Sequence, residues 1–87
     1  MSEITDVRQE MRSYIEENFL YLHPGVEVND GDDFLTLGIV DSLGFVELVE
    51  EVQSRYDIAV EDVEITEENF GSIDAITLYV ERKQQAA

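Results

Sequence analysis

Eighty-seven residues, 44% of them hydrophobic, are enough for one small core and too few for a second domain or for a core that also encloses a deep substrate chamber. Against 21 Asp and Glu stand 5 Lys and Arg, a formal net charge of −16 that repels nucleic-acid phosphates and anionic membrane surfaces and directs the chain toward basic surfaces on other proteins. Cysteine is absent, which excludes a disulfide framework, a cysteine metal site and a protein thiol nucleophile, so any thiol chemistry has to come from an added group.

Residues 1–6 are polar and acidic, without a signal-peptide or transit-peptide pattern, and no apolar run is long enough to span a bilayer. A soluble, cytoplasmic monomer is the expectation. From Ile4, the apolar residues Val7, Met11, Tyr14, Ile15, Phe19 and Leu22 follow the three-and-four spacing of a helix face, with Ser2 as the cap before it. Pro24 and Gly25 end that helix, because proline breaks the hydrogen-bond ladder and glycine readily takes a terminating conformation. A long connection over residues 23–41 follows, with Val26, Val28, Phe34, Leu35, Leu37 and Ile39 available to pack it down.

Asp41 is a good N-cap for a second helix reaching Tyr56, whose Leu43, Val46, Leu48, Val49, Val52 and Tyr56 cover more than one stripe while Glu47, Glu50 and Glu51 face water or a partner. Residues 57–70 read as a connector anchored by Ile58, Val60, Val63 and Ile65, with one short helical turn at its end. Gly71 and Ser72 then break and cap, and Ile73, Ile76, Tyr79 and Val80 mark a last helix that frays over residues 84–87. This regular spacing argues against an acidic disordered tail. The expected fold is all-α: a small four-helix bundle forming one domain over 1–87, its core at about 3–83. Its third helix is short, and a long loop joins the first and second helices.

The stretch Gly38-Ile39-Val40-Asp41-Ser42-Leu43-Gly44-Phe45-Val46-Glu47-Leu48 places a serine in the first turn of a helix, where an attached anion would meet the positive end of the helix dipole and unpaired backbone N–H groups. On those grounds alone, simple capping is the stronger explanation of the serine. The surrounding pattern adds more. Asp41-Ser42-Leu43 after Leu37-Gly38-Ile39 and before Val46-Glu47-Leu48-Val49, with Phe34-Leu35-Thr36 upstream and Glu68-Asn69-Phe70-Gly71-Ser72-Ile73 downstream, resembles the acyl carrier protein family along nearly the whole chain.

The resemblance implies a bundle of acyl-carrier type in which Ser42 receives 4′-phosphopantetheine from coenzyme A. It implies that Asp41 and Leu43 help the phosphopantetheinyl transferase and other partners recognise the site. It also implies that Val46 and Ile65 flank a cargo channel between the second and third helices, and that Glu47, Glu50 and Glu51 form an acidic docking strip. The partners implied are an acyltransferase or adenylating ligase that loads the arm, and ketosynthase, condensation or tailoring enzymes that use it. A thioester on such a tether visits several active sites while staying attached, which raises its effective concentration at each. The domain itself is then non-catalytic.

Departures refine the reading. Gly44 and Glu50 stand where fatty-acid carriers usually have a polar or acidic and an apolar residue. The Asn69-Phe70-Gly71-Ser72-Ile73 connector resembles freestanding carriers of polyketide and nonribosomal peptide pathways, including antibiotic biosynthesis. A carrier of acyl or aminoacyl groups in such a pathway is therefore expected, with a fatty-acid-synthesis carrier as the alternative and an unmodified acidic interaction domain as the rival from another class.

Other features carry less. Asn29-Asp30-Gly31-Asp32-Asp33 is oxygen-rich, but counting from Asp30 the sixth position is Leu35 where a calcium loop needs glycine. His23 is explained by its place near a helix C-terminus. The three glutamates lack any sign of a cleft for a paired-carboxylate hydrolase. No nucleophile–base pair stands out, which disfavours an enzyme.

Overall fold

The computed structural model describes residues 6–86. Helix α1 spans Val7–Asn18 and buries Val7, Met11 and Ile15. Its cap is Asp6, whose carboxylate accepts from the Gln9 N–H at 3.3 Å; Ser2 and Ile4, assigned to the helix start from sequence, lie outside the described residues. The helix also stops short of Leu22. The chain leaves it at Phe19 and tightens into a 3-10 turn, Leu20–Leu22, in which Tyr21 and Leu22 are exposed. The physical reason is that Phe19 turns aside to pack against the helix beginning near Asp41, so the apolar period beyond Ile15 does not mark a helix face.

The long connection contains a one-turn helix, α2, Phe34–Leu37. The Asp33 carboxylate caps it, accepting from Leu35 N–H at 2.9 Å and Thr36 N–H at 3.1 Å, and Gly38 at φ +77° ends it in the left-handed region open to glycine. Val28, Phe34 and Ile39 are buried, as their pattern suggests, but Leu37 is exposed because a single turn has only one face to bury, and Val26, in the loop ahead of it, is exposed too.

Helix α3, Ser42–Tyr56, buries Phe45, Leu48, Val49, Val52 and Tyr56 and ends at Asp57, whose φ of +53° is one that aspartate tolerates better than most side chains. The connector after it holds a 3-10 turn, Asp62–Glu64, which aims Glu64 inward at Tyr79 and Lys83. Val63 is consequently 85% exposed and Ile65 37% exposed; neither is the buried anchor expected of it, whereas Ile58 and Val60 do pack on the core. The short α4, Glu67–Phe70, is capped by Thr66, and α5 runs over Ile73–Ala86 with the Ser72 hydroxyl accepting from Ala75 N–H at 3.1 Å. It continues as helix through residues 84–86, which the sequence assigns to a frayed end.

Helix α1 packs on α5, α4 on α5, and α3 touches α4, so the described residues form the expected small helical bundle, with two further 3-10 turns and the extra turn α2. Each cation is engaged in an ion pair or hydrogen bond, most of them between elements. Arg8 pairs with Asp74 and with Asp30 at 3.1 Å, and Arg12 pairs with Asp30 and donates to the Val28 carbonyl at 2.9 Å, clamping the long connection between α1 and the start of α5. The Arg12 guanidinium, with Arg8 beside it, holds Asp30 below the usual carboxylate range. Arg55 bonds Glu51 at 2.6 Å, Arg82 donates to the Asn69 side chain at 3.2 Å, and Lys83 lies 3.2 Å from Glu64.

Glu64 is held down to about 2 from an ordinary 4.5, first by the Glu61 backbone N–H and then by the Tyr79 hydroxyl and the Lys83 ammonium. A folded value below the unfolded one means stabilisation that is complete above about pH 4.5 and lost as the pH falls toward 2. Thermal midpoints of Glu64→Gln and wild type are therefore expected to differ most above about pH 4.5 and to converge toward about pH 2. A gap that stays constant with pH would rule this role out.

Candidate functional site

The segment before α3 is pinned from below: Ile39 and Val40 are buried, and Gly38 provides the sharp turn that lets the chain rise to Asp41. Asp41 then caps the helix, its carboxylate accepting from the Gly44 N–H at 2.8 Å. Ser42 is the first helical residue and is exposed, and among the described residues no hydrogen bond holds its hydroxyl. The cap role therefore belongs to Asp41, which leaves the serine oxygen available. An anionic phosphodiester fits there, since the first turn of a 15-residue helix offers backbone N–H groups with no earlier turn to donate to and the positive end of the dipole.

Gly44, one of the departures noted in the sequence, has a structural explanation. A Cβ at this position would lie 2.9 Å from Phe19 Cε1, 3.3 Å from Asp41 Oδ1 and 3.4 Å from Val40 Cγ1. The missing side chain lets the Phe19 ring lean on the first turn of α3, a contact legible in the sequence only as a glycine two residues past the serine.

Along α3 the residues Ser42, Val46 and Glu50, and beside them Leu43 and Glu47, share one exposed face by the four-residue helical repeat. Leu43 is 69% and Val46 49% exposed, so two aliphatic side chains stand among carboxylates without protein to cover them. Glu51 is separate: Arg55 neutralises it through contacts at 2.6 and 2.9 Å, leaving Glu47 and Glu50 as the exposed acids of the strip. Ile65 is partly exposed in the connector before α4.

A groove of about 410 Å³ opens beside the serine. Asp41, Leu43, Gly44 and Glu47 line it from α3, Gly38 and Ile39 from the preceding turn, and Asn18, Phe19, Leu22 and His23 from the end of α1 and the turn after it. His23, unremarkable in the sequence, is thus brought near the candidate site. The acidic loop at 29–33 is fully used in structure: Asp30 pairs with two arginines, Asp32 accepts from the Asn29 N–H at 2.9 Å, and Asp33 caps α2. Among the described residues no cluster of His, Cys, Asp and Glu is suited to a metal ion, and no helix is long and apolar enough to cross a membrane.

The family model for the phosphopantetheine attachment site matches residues 9–80 of this chain. D-alanyl carrier proteins from two strains of Streptococcus suis are each 34% identical to it over 71 residues, covering 82% of this chain and 86% of theirs. A D-alanyl carrier protein from Streptococcus thermophilus is 33% identical over 73 residues, with the same coverage of 82% and 86%. No solved structure matches the chain.

Proposed function

Since the chain belongs to the phosphopantetheine attachment-site family, as a carrier protein of the acyl carrier type, we propose that Ser42 is its attachment residue and that the cargo it carries is an aminoacyl group. The observation that carries the first part is the exposed, unbonded Ser42 hydroxyl in the first turn of α3, relieved of capping by Asp41. The covalent group of the family is 4′-phosphopantetheine, which supplies a terminal thiol able to hold cargo as a thioester.

In the attachment step, Ser42 Oγ bonds to the phosphorus of coenzyme A that bears the pantetheine. The bond from that phosphorus to the adenosine-bisphosphate leaving group breaks, and the serine proton passes to the transferase or solvent. Asp41 holds the helix start in place, and the first-turn N–H groups favour the negative charge of the new diester. The domain supplies position and charge; the chemistry of loading and use lies with partner enzymes.

The aminoacyl reading is supported by the D-alanyl carriers among the relatives and makes an adenylating ligase a better candidate loader than an acyltransferase. The polyketide, nonribosomal peptide and antibiotic pathways expected from the connector draw no support from those relatives. A fatty-acid partner set is disfavoured by Gly44 and Glu50, which stand where fatty-acid carriers usually have other residue types.

The test is intact-protein mass spectrometry after incubation with coenzyme A, magnesium and a phosphopantetheinyl transferase of broad specificity. One phosphopantetheine per chain, mapped by peptide fragmentation to Ser42, is expected. No gain, with the transferase active on a control carrier, would leave an unmodified interaction domain as the better reading.

The exposed face of α3 is the proposed docking surface, with Leu43 and Val46 as its apolar centre and Glu47 and Glu50 as its charged rim. Rim charges act mainly on encounter. The pair Glu47→Lys and Glu50→Lys is expected to lower the association rate with the transferase by about tenfold or more while leaving thermal unfolding nearly unchanged. Equal rates for variant and wild type would dismiss the strip.

A further inference from the structure

The groove beside Ser42 has features that attachment alone does not explain. The two neighbours of the serine, Asp41 and Leu43, both line it, so a chain leaving Ser42 starts at its mouth. Leu22 and Leu43, 62% and 69% exposed, line it together with Phe19, whose ring edge reaches the space left by the missing side chain of Gly44. These apolar groups share the lining with the Asn18 amide, the His23 imidazole and the Asp41 and Glu47 carboxylates, so the groove is of mixed apolar and polar character.

That combination is selective. No Lys or Arg lines the groove, and all five of the chain's cations are engaged elsewhere, so it is poorly made for a free anion. Its volume of about 410 Å³ is in the range that accommodates a small organic group. Pantetheine offers the matching chemistry: a branched dimethyl segment close to the phosphate, then a hydroxyl and two amides.

We infer that the groove between α3 and the Leu20–Leu22 turn is the resting site of the arm, a reading that rests on Ser42 as the attachment residue. Phe19, Leu22 and Leu43 receive the dimethyl segment, and Asn18 and His23 stand where its polar groups can hydrogen-bond. The arm then lies on the α1 side of α3, away from the channel between α3 and α4 that Val46 and Ile65 would flank. Leu43 belongs both to this groove and to the proposed docking face, so a partner covering α3 displaces the arm as it binds.

Isotope-labelled protein carrying an unlabelled arm tests this by NMR, after mass spectrometry has shown full arm occupancy. Nuclear Overhauser contacts from the arm methyls to the Phe19 ring and Leu22 methyls are expected, together with shifts relative to the arm-free protein at residues 18–23 and 38–39. Leu22→Asp, a change at an exposed position, is expected to lose those contacts at the same occupancy. Contacts to Val46 and Ile65 instead, or none at full occupancy, overturn the groove and leave the attachment reading standing. Failure to gain the arm overturns the attachment reading itself and the groove with it.

Discussion

A Ser42→Ala variant is expected to take up no phosphopantetheine while unfolding within about 0.5 kcal/mol of wild type, as surface substitutions away from structural features do. Two facts separate the effects. The hydroxyl is the only group at the start of α3 that combines exposure, freedom from hydrogen bonds and a place in the first turn, among the described residues. The structural work at that point is done by Asp41, which caps the helix through the Gly44 N–H, and alanine is the best of helix formers in the position that follows. Other serines provide the control. Ser54 lies late in α3 and Ser72 caps α5, so Ser54→Ala should accept the arm as wild type does. An adduct on the Ser42→Ala variant would refute the assignment, and loss of the adduct together with loss of helicity would show that Ser42 is needed for the fold instead.

Truncating Phe70 is expected to have the largest effect on stability. Its side chain is fully buried, with the Phe45 ring edge-on at 6.4 Å and the Tyr79 ring at 4.8 Å, so it joins α3, α4 and α5 in one contact. The next carbonyl, Gly71, accepts the Phe34 N–H at 2.7 Å and ties α2 to the same point. Phe70→Ala removes the ring and leaves a cavity that the four-residue α4 cannot close without losing that hydrogen bond, at a cost of about 3–5 kcal/mol. Against a total of roughly 5–15 kcal/mol, with chains this short at the low end, that cost leaves the domain barely folded or unfolded. Denaturant titration reads it directly. Leu78→Ala, at an exposed position of α5, should shift the midpoint little, and a comparably small shift for Phe70→Ala would mean that α4 is not a structural keystone.

Much of this was legible in the chain because it depends on period and capping. α1, α3 and α5 each repeat their apolar residues often enough to reveal a face, and Asp41 and Ser72 are caps of the expected kind. α2 was hidden: four residues cannot show a period, and Asp33 capping one turn reads like any loop aspartate. Hydrophobicity also fails to say which way a residue points, so Val63 and Ile65 pass for anchors although the inward turn of Glu64 carries them outward. Phe19 misled for a related reason, since it fits the α1 pattern and yet serves α3. Ser42 stands out only with its neighbours. The groove could not be read at all, because it joins side chains about twenty positions apart.

The clamp of Arg8 and Arg12 on Asp30 and Asp74 has a consequence for how the protein responds to its medium. It consists of opposite charges in contact, partly open to solvent, whereas the rest of the surface is dominated by like charges spread over the bundle. Dissolved salt acts on the two in opposite senses: it relieves repulsion among the exposed carboxylates, firming the fold as a whole, and it weakens the pairs that fasten the segment before Ser42. Ionic strength is therefore a dial with two hands, loosening the approach to the serine while tightening the helices that present it.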